Sequence, residues 1–148
     1  MRHIQEKFEE LLEKHGLKKT PSRLSVLNIL SSREVATSEL YLEQKLGDKV
    51  NRVTLYRILK TFEGKGIIHK VLDQNGTANY AVCSPQCNEW HHHDEHLHFN
   101  CVVCNKVYCL DNIEFPDVKI PRGFKLESVN YTASGICKQC RKSADTKN

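Results

Sequence analysis

Two pairs of cysteines, Cys101-x-x-Cys104 and Cys137-x-x-Cys140, carry the most specific chemistry in the chain. Each pair can turn two thiolates toward one ion, and two such pairs complete a tetrahedral zinc site closed by protein ligands. A redox pair of the thioredoxin type would need only one pair, set in a βαβ unit. The spacer between the two pairs is long, so an intervening strand layer must fold to bring them together, and zinc bound there would contribute directly to folding.

A second group of donors lies just upstream, in His91-His92-His93-Asp94-Glu95-His96-Leu97-His98. On an extended strand residues two apart share a face, so His96 and His98 can both address a second ion. Glu89, Cys83, Cys87 and His91 to Glu95 are further donors within loop reach. A solvated polar tract is the alternative for this run, although it is internal and abuts the first cysteine pair. A zinc deaminase is excluded by spacing: its Pro-Cys-x-x-Cys stands on a separate helix, whereas Cys101 follows Glu95 by six residues without a proline. No nucleophile elbow, phosphate loop or paired-carboxylate cleft is evident either, so no enzymatic activity and no small-molecule substrate are expected.

These donors are confined to one part of the chain. All seven cysteines and five of the eight histidines fall between Cys83 and Cys140, whereas the formal charge excess of +4 falls before it. Residues 1–82 carry 14 Lys/Arg against 10 Asp/Glu, and residues 83–148 carry 8 of each. A basic first half suits a polyanionic partner, although an ordinary solvated surface accounts for +4 almost as well. No apolar run approaches the roughly 18 residues of a membrane span. The first residues lack an apolar signal core, so a cytoplasmic, reducing setting is expected, in which cysteines bind metal rather than pair as disulfides.

The first half must supply the scaffold. Ile4, Phe8, Leu11 and Leu12 share one helical face ahead of Gly16. Thr20-Pro21 caps a second helix through Ser31, and Thr37 is placed to cap a third that ends at Gly47. A fourth helix from Asn51 carries Leu55, Ile58, Leu59 and Phe62 on its back and Arg52, Tyr56, Arg57 and Lys60 on its front. Such a helix suits a DNA major groove, with an ordinary surface helix as the alternative. Strand-like runs 67–72 and 77–82 flank Asp73-Gln74-Asn75-Gly76, a hairpin turn signal. Three helices, a basic fourth and a hairpin predict a winged helix over residues 1–82 that grips double-stranded DNA. His69 reads as a residue of the wing surface. The chain is thus expected to be α+β: the winged helix, a hinge or inserted loop over 83–93, and a small α/β dimerisation domain over 94–148 holding the four-cysteine zinc site.

Taken together, several motifs resemble the ferric uptake regulator family, a group of dimeric, metal-sensing bacterial repressors. They are Gly16-Leu17-Lys18-Lys19-Thr20-Pro21-Ser22-Arg23, Val53-Thr54-Leu55-Tyr56-Arg57-Ile58-Leu59, the histidine run with His96-x-His98-x-x-Cys101-x-x-Cys104, and Cys137-x-x-Cys140. The resemblance implies a homodimer on operator DNA, with Tyr56 and Arg57 touching DNA and Lys18 reaching the minor groove; Arg52, Thr54 and Lys60 of the same helix are expected to join them. It implies structural zinc on Cys101, Cys104, Cys137 and Cys140. It also implies a regulatory site formed by His96 and His98, by Glu34 where the family often has histidine, by Glu89, and by Cys109 where the family commonly has a carboxylate.

Thiolate at Cys109 would favour zinc over ferrous iron; a buried, small apolar role is the other reading of that residue. Leu97 and Val129 replace the ligands of a third family site, and Pro116 and Pro121 predict a short or absent dimerisation helix. The expected function is a repressor with ferrous iron as corepressor, zinc or manganese being the other candidate metals. A zinc-uptake regulator is the alternative, and a peroxide sensor fits less well because Cys109 stands in for a carboxylate. A zinc-stabilised protein-interaction module is the reading from a different class.

Overall fold

A computed structural model of the chain describes residues 2–82, 97–110, 113–127 and 129–146. Helix α1 (Arg2–Lys14) turns Phe8 and Leu12 inward, and the chain leaves it through Gly16 at φ 68°. At α2 (Pro21–Ser31) the Thr20 hydroxyl accepts the Arg23 N–H at 3.4 Å, and Pro21 presets the first turn. The cap of α3 (Glu39–Leu46) is Ser38, which accepts the Tyr41 N–H at 3.2 Å. Thr37, the expected cap, is buried instead in the short strand β1 (Thr37–Ser38) opposite Tyr80. Helix α4 (Arg52–Gly64) starts where Asn51 Oδ1 accepts the Thr54 N–H at 2.8 Å, and it buries Leu55, Ile58, Leu59 and Phe62.

Strands β2 (Ile68–Leu72) and β3 (Ala78–Val82) form the hairpin. Its turn is tied by Asp73 Oδ1, which accepts the N–H groups of Asn75 and Thr77 at 2.9 Å, and Gly76 supplies the positive φ of 75°. With β1 the hairpin makes an antiparallel sheet of order β1-β3-β2, and α1 to α4 pack on it through one apolar core. Phe62 is fully buried at the centre of that core. Phe62→Ala should therefore cost about 3–5 kcal/mol, measured as the shift in urea unfolding of the first half.

The second sheet, of order β5-β4-β6, comprises β4 (Leu97–Cys101), β5 (Val107–Leu110) and β6 (Thr132–Gly135), followed by α5 (Lys138–Asp145). β4 runs antiparallel to β5 and parallel to β6. Between β5 and β6 the described residues hold no helix, in keeping with Pro116 and Pro121, and the Phe115 and Tyr131 rings stack at 3.8 Å. The two sheets meet at a defined joint. Ala36 N–H donates to Val107 O at 2.8 Å, Val35 bridges to Tyr108, and Ala36, Val71 and Val107 form a small second core with Ala81. The architecture is α+β, a winged helix followed by a small α/β unit carrying the four-cysteine cluster. No helix of the described residues is long and apolar enough to cross a membrane.

Candidate metal centres and nucleic-acid face

Cys101 ends β4, and the chain reverses through Asn105 at φ 58° so that Cys104 swings back beside it. The turn is closed by Asn105 N–H to Cys101 O and Cys101 N–H to Lys106 O, both at 3.0 Å. The second pair arrives by the parallel register of β4 with β6, in which Cys101 opposes Gly135 and the Val102 N–H donates to Gly135 O at 2.8 Å. Gly135 allows this approach because a Cβ there would stand 3.0 Å from the Phe99 ring. Two residues later Cys137 caps α5, and its N–H donates to Cys101 Sγ at 3.3 Å.

The four sulfur atoms lie within 4.8 Å of one another, with Cys104 and Cys137 at 3.9 Å, and none is in a disulfide. Tetrahedral zinc with bonds near 2.3 Å separates its sulfur ligands by about 3.8 Å, so this arrangement fits the ion. The backbone N–H groups of Cys104 and then Cys137 hold the Cys101 thiol down to about 6. The Cys140 N–H and the Tyr108 hydroxyl also lower Cys137. Burial raises Cys104, and hydrogen bonding to Cys137 followed by burial pushes Cys140 up to about 12. Successive thiolates repel one another, so the last protons leave only when a cation takes their place.

A second cluster joins the two halves. His69 of β2, His98 of β4 and Cys109 of β5 bring their ligand atoms within 4.8 Å of one another. Cys109 Sγ is 3.7 Å from His69 Nε2, and the two imidazole centroids are 5.5 Å apart. His98 opposes Cys109 directly in the β4–β5 register. His69 does not lie on the wing surface: it is only 7% exposed, because the face of the hairpin that carries His69 and Val71 is covered by the second sheet. An apolar residue two places after His69 on the same strand face was the sequence signal for that burial.

Glu34 stands beside this cluster rather than within it. Its carboxylate is 3.9 Å from Lys138 Nζ, and it lines a cavity of about 600 Å³ with Phe99, Tyr108, Cys109, Ile136 and Lys138. Glu89 and His96, like Cys83, Cys87 and His91 to Glu95, lie outside the described residues.

On α4, Arg52, Tyr56, Arg57 and Lys60 are exposed on the side away from the core, and Thr54 is half-buried. The Lys60 ammonium lies 5.7 Å from the Tyr56 ring centroid, and Arg52 Nε pairs with Glu43 at 3.1 Å. Lys18 is exposed in the loop before α2, where its carbonyl accepts from the Arg23 guanidinium at 2.9 Å. An exposed basic and aromatic helix face beside a two-stranded wing can enter a groove and contact the flanking phosphates together.

Comparison with known proteins gives a consistent result. Residues 14–134 match the model of the Ferric uptake regulator family. The ferric uptake regulation protein of Vibrio anguillarum is 28% identical over 143 residues, which cover 88% of this chain and 91% of the relative. That of Escherichia coli K12 is 32% identical over 113 residues, 74% of this chain and 68% of the relative. A solved zinc uptake regulator complexed with zinc and DNA superposes with a TM-score of 0.70 at 22% identity, covering 97% of each chain. The Helicobacter pylori ferric uptake regulator superposes with a TM-score of 0.57 at 23% identity, covering 95% of this chain and 93% of the other.

Proposed function

The chain belongs to the ferric uptake regulator family, and from that premise we propose that it is a zinc-responsive transcriptional repressor that binds operator DNA as a homodimer. The observation that carries the reading is the convergence of His69, from the winged helix, with His98 and Cys109, from the second sheet. Two imidazoles and a thiolate form a nitrogen and sulfur donor set that suits zinc better than ferrous iron, which the sequence alone had placed first. With Cys101, Cys104, Cys137 and Cys140 assigned to structural zinc, this cluster is left for regulation. Glu34, Glu89 and His96 are the candidates for its remaining ligand, and Glu34 already lines the same cavity as Cys109. Ferrous iron is the second reading, favoured by curated relatives that are ferric uptake regulation proteins; manganese is a third arm of the test.

The protein's own residues supply the gating. His69 on one half, and His98 with Cys109 on the other, would hold a shared ion between the sheets and so narrow the range of angles at the joint. A bound metal supplies a cross-link there and no reaction. Fixing that angle in both subunits would favour the arrangement in which two α4 helices fit successive major grooves. Dimerisation has a surface to use: Val103, Val118, Ile120, Phe124 and Leu126 are all exposed on the second half. A cytoplasmic location follows from the same role.

The test starts from protein that retains its four-cysteine zinc but has been stripped of more weakly held metal by a mild chelator. A random-sequence duplex library selected on this protein with zinc provides the probe. Affinity for the enriched duplex should then rise with zinc at lower free metal than with ferrous iron or manganese. Restoration by ferrous iron at the lower free concentration would move the assignment to iron, and an affinity indifferent to all three would overturn metal gating. On the same duplex, Arg57→Ala should weaken binding by about 1–3 kcal/mol with zinc content unchanged, as read by fluorescence anisotropy and metal analysis.

A further inference from the structure

Asn100 is 5% exposed, yet its side-chain Oδ1 has no hydrogen-bond partner among the described residues. Buried polar atoms left unpaired are rare in folded proteins, and one that persists calls for a cause. Its place on the sheet supplies one. His98 and Asn100 are two apart on β4 and share a face. The register opposes His98 with Cys109 and Asn100 with Val107, so all four side chains belong to the face that meets the winged helix. Val107 packs there on Ala36 and Val71, and Val71 is two residues from His69 on β2. Asn100 therefore sits in the joint between the sheets, one register step from the two donors of the second half.

A histidine that gives one ring nitrogen to a metal must carry its proton on the other, and ligating histidines almost always donate that N–H to a fixed acceptor. We infer that Asn100 is a positioning residue of the joint metal centre: its amide carbonyl accepts the second ring N–H of His98 when metal is bound. A neutral amide oxygen does this without adding charge to a buried site. Binding of the ion would then give a partner to an oxygen that has none among the described residues. This inference rests on the reading of His69, His98 and Cys109 as a metal site.

Asn100→Leu keeps the approximate shape and removes the acceptor, whereas Asn100→Asp keeps an acceptor. Zinc affinity at the second site is read by competition with a chromophoric chelator, in protein that retains the four-cysteine zinc. Asn100→Leu should bind about 10–100-fold more weakly than wild type, and Asn100→Asp within about threefold of it. Metal-free Asn100→Leu should unfold at the same temperature as wild type or higher, since it loses an unpaired buried group. In the zinc-loaded wild type the His98 ring N–H should give a slowly exchanging proton resonance that Asn100→Leu lacks. Equal zinc affinity of Asn100→Leu and wild type overturns the inference. Equal weakening by both substitutions, with a lowered metal-free unfolding temperature, assigns Asn100 to packing and overturns it as well. If wild type takes up no second zinc, the metal-site reading itself fails, a result distinct from either.

Discussion

Cys101→Ser is expected to release about one zinc per chain and to unfold the second half while leaving the winged helix folded. The contrast between the two cores sets the size of the effect. Residues 2–82 bury a continuous cluster running from Phe8 through Leu27, Leu55 and Phe62 to Tyr80. In the described part of the second half the buried apolar side chains are Cys101, Val107 and Cys137, two of them members of the four-cysteine cluster. So small a core does not offset the entropy of ordering three strands and a helix, and a structural metal is the usual remedy. Binding of structural zinc in small domains is worth on the order of 10–16 kcal/mol near neutral pH, far more than Val107 and its neighbours can supply by burial. The serine hydroxyl would keep the approximate size of the group but not the thiolate, and it would break the contact from the Cys137 N–H to Cys101 Sγ that now measures 3.3 Å. Metal analysis together with limited proteolysis reads the outcome: rapid cleavage beyond residue 82, a protected first half, and loss of the proposed dimer on gel filtration. Unchanged zinc content with a protease-resistant second half would falsify the structural-zinc assignment.

What was legible in the sequence is what short range determines. The two Cys-x-x-Cys pairs announce their site because a knuckle is a local turn, and Asn105 at φ 58° with its closing hydrogen bonds is such a turn. The caps at Thr20 and Asn51 and the turn at Asp73 to Gly76 were readable for the same reason. What was missed depends on which faces become covered. His69 lies on a hairpin that could equally have faced solvent, and only the docking of Val107 on Ala36 and Val71 buries it. Thr37 was a sound cap by residue type, but pairing with Tyr80 took it into a strand and moved the cap to Ser38. Helix α5 gave little hydrophobic signal, since Lys138 to Asp145 bury no side chain, and its start is set by Cys137 in the cluster. Cys109 was readable as a ligand or as a small buried group, and the register with His98 places it among donors.

His69→Ala is expected to abolish the rise in DNA affinity proposed for bound metal, while leaving the metal content of the four-cysteine cluster unchanged. Among the described residues His69 is the donor of the joint cluster that comes from the winged helix; His98 and Cys109 both belong to the second sheet. Without His69 an ion held by the remaining pair would lie on one body only, and it could no longer bind one joint angle better than another. A ligand with equal affinity for two arrangements shifts neither, however tightly it binds. Coupling energies of this kind are typically about 1–3 kcal/mol, so the variant should forfeit an enhancement of roughly 5–150-fold and bind the duplex as metal-free wild type does. Zinc affinity should fall as well, since one of three protein donors is gone. Glu34→Ala makes the informative comparison, because Glu34 is paired with Lys138 at the surface, where such a pair contributes about 0–1 kcal/mol to stability. If Glu34 is the remaining ligand, its removal should weaken zinc at the joint by about tenfold or more with little change in unfolding. If His69→Ala still shows the full metal-dependent gain in DNA affinity, the cross-link between the halves is not what gates DNA binding. His69→Cys sharpens the choice of metal: a second thiolate should preserve the response to zinc and reduce any response to ferrous iron, and the reverse order would return the assignment to iron.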